Sequence, residues 1–316
     1  MNGHLQSRGG QPLVVVVGAA NVDTKGRVPQ PPLEGTSIPG EIRTCVGGVA
    51  RNIAENLCRL GVQAVLLSAV GADGSGQRIL TQAASNGLDV SQVIRSPEHH
   101  TAAYLTVLDA VGKAIVSIDD TQIMELITPS YIYAKRSWFR RAAMVVLDAN
   151  VPPRAMEMVF RLTAQYHVPV CADPTSVPLC ERLLPHLDRL HIITPNVPEA
   201  ERLTGCRITH RESGIRAARR LVAAGVQTAI VTRSDRGVVY ATPKVSGHVP
   251  ALEREAVDRT GVGDALTAGV VFGLLNSFPI DEAMRLGVSA AALALQSRES
   301  VHPDLSLERL YDELVI

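Results

Sequence analysis

Asp258-Arg259-Thr260-Gly261-Val262-Gly263-Asp264 runs directly into an apolar stretch, residues 265–275, and this spacing suits phosphoryl chemistry. Gly261 and Gly263, with the small apolar Val262 between them, let the backbone turn tightly, so that successive N–H groups face outward at a helix start. Free amides and the helix dipole together make such a turn an anion site. Asp264 falls on the first turn, where its carboxylate could take the proton of a hydroxyl held beside a phosphate. A plainer reading of the same residues stays open, in which the glycines shape a turn and Asp264 caps a buried helix.

Three further segments place polar residues at the ends of expected elements. Gly47-Gly48 begins a stretch ending at Gly61 that reads as a turn entering a helix, with Arg51 and Asn52 early in it. Thr194-Pro195-Asn196-Val197-Pro198-Glu199 sets Asn196 and Glu199 three apart on one helical face, which is also the spacing of a capping box. The run Val14 to Val17 reads as a buried strand that delivers Asn21 and Asp23 to its C-terminal end. Asp23 followed by Thr24 could equally form an Asx turn.

The elements that must position these residues alternate. Residues 13–17, 64–70, 144–148, 168–173, 192–194 and 228–232 read as short buried strands. Helical patterns lie between them at 52–60, 77–86, 153–165, 198–203 and 215–224. Continuous apolar strands alternating with helices predict a parallel sheet covered on both faces, with ligands at the carboxyl ends of the strands. Two segments break the rhythm: 24–45, rich in Pro and Gly, reads as irregular, and 101–119 reads as a hairpin about Asp109-Ala110-Val111-Gly112-Lys113.

Composition narrows the partners. An apolar content of 46% over 316 residues supplies a large core, and 31 basic against 31 acidic residues leave no net charge to attract a nucleic acid polymer or an anionic membrane. Five cysteines without a C-x-x-C pair suggest neither a disulfide framework nor a zinc site, so a reducing cytoplasm is expected. No leader-like apolar segment and no apolar run of about 20 residues is present. Gly112-Lys113 lacks the glycine spacing and following hydroxyl of a P-loop, and Gly71 to Gly76 has the wrong spacing for a dinucleotide fingerprint, so a turn starting the next helix explains it better.

In this order, the four segments resemble the ribokinase-like (PfkB) sugar and nucleoside kinases, over nearly the whole chain from about residue 13. Gly-Gly…Asn together with Gly-x-Gly-Asp is specific where neither alone is. Within the family, Gly47-Gly48-Val49-Ala50-Arg51-Asn52-Ile53-Ala54-Glu55-Asn56-Leu57 resembles the pseudouridine kinase version of the first signature. Softer likenesses are Thr101-Ala102-Ala103-Tyr104-Leu105, Asp148-Ala149-Asn150, Ala172-Asp173-Pro174 and His302-Pro303-Asp304. Departures exist too: Arg259 and Val262 stand where smaller residues are usual, without deleting a backbone donor, and Thr232-Arg233-Ser234 stands where Thr-Leu-Gly is frequent.

The resemblance implies a three-layer α/β/α fold with a mostly parallel central sheet and a small β lid from segments near 24–46 and 101–120. It implies a flexible tail over 1–12 and one kinase domain over 13–316. The implied activity is transfer from ATP, with Mg²⁺, to the 5′-hydroxyl of a ribonucleoside, pseudouridine first. A free sugar or adenosine is the alternative acceptor, and a catalytically silent nucleoside-binding protein is the alternative of another class. Asp264 would be the base, with the amides of Gly261, Val262 and Gly263 holding the phosphoryl charge. Asn21, Asp23, Gly47, Gly48 and Asn52 would form the ribose pocket, Asp23 accepting from both vicinal hydroxyls. Arg51 would read the base or a phosphate, or stand solvated; Arg259 would add charge near the phosphates or stand exposed without a role. Asn196 and Glu199 would place Mg²⁺ through water, and Thr232, Ser234 and Gly237 would join Asn196, Gly261 and Gly263 around the nucleotide. A monovalent cation such as K⁺ would sit beside the anion hole, with Asp258, Thr260 and residues 297–301 as candidates. A homodimer through the lid is implied as well.

Overall fold

A computed structural model describes residues 11–32 and 34–314; the tail expected over 1–12 lies, through residue 10, outside the described residues. β1 (Leu13–Val17) is four valines behind a leucine, stiff β-branched residues that suit a strand buried on both sides. Val14 and Val16 enter one apolar cluster, Val15 and Val17 the other. This two-sided burial explains why such strands show no polar alternation.

After β1 the chain makes β2 (Asn21–Arg27) and β3 (Glu41–Gly47), then α1 (Val49–Arg59) and β4 (Gln63–Leu67). Next come β5 (Ala69–Gly71), α2 (Gly74–Ser85), β6 (Ile94–Ser96) and the hairpin β7 (Ala103–Leu108) and β8 (Ala114–Asp120). Helices α3 (Pro129–Ala134) and α4 (Arg136–Arg141) lead to β9 (Met144–Asp148), α5 (Pro153–Tyr166), β10 (Val170–Asp173), α6 (Val177–Cys180) and β11 (Ile192–Ile193). Then follow α7 (Val197–Thr204), α8 (Arg211–Ala223), β12 (Thr228–Thr232), β13 (Val238–Ala241) and β14 (Ser246–Val249). Three helices end the chain: α9 (Val262–Leu275), α10 (Ile280–Leu295) and α11 (Leu307–Asp312).

The main sheet has the order β14-β13-β12-β11-β10-β9-β1-β4, parallel from β4 to β12 and antiparallel across β13 and β14. Helices α1, α2, α9, α10 and α11 cover one face, and α3, α4, α5, α7 and α8 the other, which gives three layers. From β1 the chain reaches β4 on one side and β9 on the other. A ligand crevice belongs outside the carboxyl ends of β1 and β9, where the strand order reverses.

A smaller sheet, β3-β2-β7-β8, is formed by the two segments expected to make the lid. β2 pairs antiparallel with β3, from Asn21 opposite Gly47 to Arg27 opposite Glu41, and parallel with β7. Three expectations are corrected here. Residues 24–45 are not irregular throughout, because β2 and β3 occupy both ends and the prolines fall in the connection, where no ladder hydrogen bond is required. Asn21 and Asp23 begin β2 instead of ending β1, since Gly18 turns the chain out of the main sheet. The expected strand 64–70 is two, β4 and β5, and β5 pairs with β6 in a sheet of its own.

Candidate active site

The crevice is built on close backbone approaches that only glycine allows. A Cβ on Gly18 would lie 2.2 Å from Asp148 Cγ, and one on Gly48, where φ is 98°, would lie 2.5 Å from Ala19 O. Asp148 ends β9, is fully buried, and accepts from Ala19 N at 2.8 Å, Ala50 N at 3.2 Å and Asn150 N at 2.9 Å. It thereby ties the β1–β2 turn to the first turn of α1. Burial pushes its carboxyl up to about 6, although those amides oppose the shift.

Over this turn lie the residues expected to bind a sugar. Asp23 accepts from Asn21 Nδ2 at 2.6 Å, and a Cβ on Gly47 would meet its carboxylate at 2.4 Å. Burial raises the Asp23 pKa, while Asn21, Lys25 and Arg51 oppose the rise. Arg51 is not solvated: it is 1% exposed, donates through Nε to Gly47 O at 3.2 Å and pairs through Nη1 with Glu55 Oε2 at 2.7 Å. Asn52 donates from Nδ2 to Asp264 Oδ2 at 2.7 Å, joining α1 to the glycine loop. Arg51 Nη2 and Asn52 Oδ1 are buried without a hydrogen-bond partner among the described residues. A buried donor and acceptor left unpaired cost about 1–3 kcal/mol each, so the crevice favours a polar ligand that completes both.

The glycine loop expected to hold an anion stands at the start of α9. Gly261 takes φ 78° as the N-cap, and a Cβ there would lie 1.8 Å from Ser300 O. Gly263 is exposed while Asp264, one residue later, is buried. Among the described residues the hydrogen-bond partner of the Asp264 carboxylate is Asn52 of α1. Burial raises its pKa above the usual carboxylate range, Asn52 and Arg51 oppose this, and the nearby charges of Asp23 and Asp148 add to it. A carboxylate so perturbed beside free helix N-terminal amides can act as a base toward a hydroxyl.

Three of the expected nucleotide residues border a separate groove, whose wall includes neither Gly261 nor Gly263. Asn196, Thr232 and Ser234 line a cavity of about 420 Å³ together with Val197, Ile208 and Arg233. Gly237 is not in its wall; with φ 74° it closes the turn by accepting Arg233 N at 2.8 Å. Exposed Arg259 donates from Nη1 to Ser234 Oγ at 3.0 Å, linking the glycine loop to this groove. Asn196 and Glu199 form a full capping box: Glu199 accepts from Asn196 N at 2.9 Å and Nδ2 at 2.7 Å, and Glu199 N donates to Asn196 Oδ1 at 3.0 Å.

Sequence reasoning left Asp148 and Asp173 out of the site. The two stand opposite each other at the ends of β9 and β10, and burial first, then Asp264 and Glu199, raise the Asp173 pKa well above its usual value. Each is an acid closing an otherwise apolar strand, a signal present in the sequence. Among the described residues no three His, Cys, Asp or Glu side chains converge as a metal cage. The charges of Asp264 and Glu199 nonetheless reach Asp173 and disfavour its ionisation. Asp258 and Thr260, the candidates for a monovalent cation, carry Lys25: its Nζ lies 2.7 Å from both Asp258 oxygens and also donates to Thr260 Oγ1.

The pfkB family carbohydrate kinase model matches residues 11–306. The pseudouridine kinase of Escherichia coli K12 is 34% identical over 93% of this chain and 94% of its own length. A guanosine-inosine kinase of Exiguobacterium acetylicum is 29% identical over 91% of this chain and 95% of its own. The structure of Arabidopsis thaliana ribokinase complexed with ribose and ATP superposes with a TM-score of 0.87 at 22% identity, covering 97% of this chain and 99% of that one.

Proposed function

Because the chain belongs to the pfkB carbohydrate kinase family and is a phosphotransferase with an alcohol acceptor, we propose that it phosphorylates the 5′-hydroxyl of a ribonucleoside with ATP, pseudouridine first. The observation that carries this reading is the Asn52–Asp264 hydrogen bond at 2.7 Å, which joins the sugar crevice to the carboxylate at the glycine loop. The relative 34% identical over nearly the whole chain supports pseudouridine over a free sugar. Turnover on pseudouridine, uridine, adenosine and ribose with Mg-ATP tests it. The highest kcat/KM is expected on pseudouridine; ribose as the best acceptor would move the assignment to a sugar kinase.

In this reading Asp23 accepts from both ribose hydroxyls, Asn21 holds its carboxylate in place, and Asn52 Oδ1 and Arg51 Nη2 complete the nucleoside contacts. Asp264 takes the proton of the 5′-hydroxyl while Asn52 Nδ2 orients the carboxylate. The amides of Gly261, Val262 and Gly263 receive the transferred charge, and Asn196, Thr232 and Ser234 hold the nucleotide in the groove beside Arg259, with Gly237 shaping its turn. Mg²⁺, held through water by Asn196 and Glu199 beside Asp173, would neutralise phosphate charge when bound.

Glu199→Gln tests the metal assignment. The Mg²⁺ concentration for half-maximal rate is expected to rise, because a carboxylate is lost from the water shell of a cation that dehydrates reluctantly. An unchanged Mg²⁺ titration would leave only the capping role already visible in the geometry.

The lid also presents an apolar surface: Ile42 is 76% exposed, Ile118 60% and Val116 50%, and the strand register puts all three on one face of the sheet. Such a patch on a sheet favours a partner, and a second copy meeting it lid to lid is the dimer this reading carries. A cytoplasmic location belongs to the same reading; no helix among the described residues is long and apolar enough to cross a membrane.

A further inference from the structure

We propose that Lys25 supplies a tethered cation at the position beside the anion hole where the family resemblance puts a monovalent metal ion, so that this kinase works without one. Lys25 lies on lid strand β2, 233 residues from Asp258, and its Nζ lies 2.7 Å from each Asp258 oxygen while also donating to Thr260 Oγ1. Those two residues are among the candidate donors for such an ion. An ammonium bonded to all three oxygens leaves no room for a second cation there, and the charge repulsion would be severe at that range.

The neighbourhood is built around this contact. The Lys25 side chain is 15% exposed and that of Asp258 26%, so the pair is shielded from solvent more than an ordinary surface ion pair. Asp258 also accepts Thr260 N at 2.9 Å, which folds the turn immediately before Gly261. Burial alone would raise the Asp258 pKa, but Lys25 and the Thr260 amide hold it below the usual range, so the carboxylate is anionic and depends on a counter-charge. Gly261 in turn rests on Ser300 O, within the other segment considered for the ion. The ammonium therefore does two things with one group: it sets the turn that aims the Gly261–Gly263 amides, and it fastens the lid strand carrying Asp23 to that turn. A free ion could do only the first. Lys25 is thus a positioning residue for phosphoryl transfer, acting through Asp258 and Thr260.

The inference rests on the kinase reading but not on the identity of the nucleoside. The wild-type rate, on whichever acceptor it turns over best, should be flat when KCl replaces tetramethylammonium chloride at constant ionic strength, and its Tm without substrate should be equally indifferent. Lys25→Met keeps the aliphatic stem and removes the charge. Misplaced amides can cost up to about 10²-fold in rate, so kcat of the variant should fall steeply in tetramethylammonium chloride and recover in part as K⁺ or NH₄⁺ enters the freed oxygen cage. The variant's Tm should likewise rise with K⁺, a readout that survives if no tested acceptor is a substrate. A wild-type enzyme that needs K⁺ overturns the proposal whether or not the variant folds. So does a Lys25→Met variant whose rate and Tm ignore monovalent cations.

Discussion

Asp264→Asn is expected to lower kcat by about 10²–10⁴-fold while leaving nucleoside and ATP affinities largely unchanged, the usual contribution of a positioned base. The amide keeps the shape of the side chain and can still meet Asn52, so the packing at the head of α9 is conserved while proton acceptance is lost. The pH profile gives an independent reading. Burial and the neighbouring charges of Asp23 and Asp148 raise the Asp264 pKa. The base works only when deprotonated, so the wild-type rate should fall as pH drops through a value above the ordinary carboxylate range. That acid limb should vanish in the variant. Near-normal turnover of Asp264→Asn at saturating substrate would mean that the carboxylate only supports Asn52 and that the base lies elsewhere.

Asp23→Ala is expected to raise KM strongly for a ribonucleoside and much less for its 2′-deoxy analogue, because the analogue already lacks one of the two hydroxyls that the carboxylate would hold. A buried hydrogen bond to a charged group is worth about 1.5–3 kcal/mol, so the wild type should prefer the ribonucleoside by about ten- to a hundredfold. Kinetics on the matched pair with wild type and variant yield the coupling directly. Removing Asp23 also strips Asn21 Nδ2 of its acceptor and opens space over Gly47, so a general loosening of the crevice must be told apart from lost recognition. Loosening would penalise both substrates equally, and that result would shift the sugar contacts toward Asn52 and Arg51.

Local physics made several features legible before any fold was known. The glycine spacing at 261 and 263 reads as a turn because few other residues tolerate its backbone, and Gly261 does take a positive φ. Asn196 and Glu199 three apart read as a capping box because both partners lie within one helical turn, and the box is present. The valine run at 14–17 reads as a strand buried on both faces because nothing in it tolerates water, and its residues divide between the two cores. What the chain could not disclose by itself were the relations between distant segments. Residues 24–45 look irregular because β2 and β3 owe their strands to each other and to β7, whose ladder supplies the hydrogen bonds their composition does not announce. Asp148 and Asp173 become neighbours only because parallel pairing lines up the carboxyl ends of β9 and β10. Asn52 meets Asp264 across 212 residues because α1 and α9 pack on one face of the sheet, and Lys25 meets Asp258 only when the lid lies over the glycine loop. Turn and helix-end chemistry is decided within a few residues, whereas the charge environment that makes a carboxylate a base arises from burial among groups brought together by strand order.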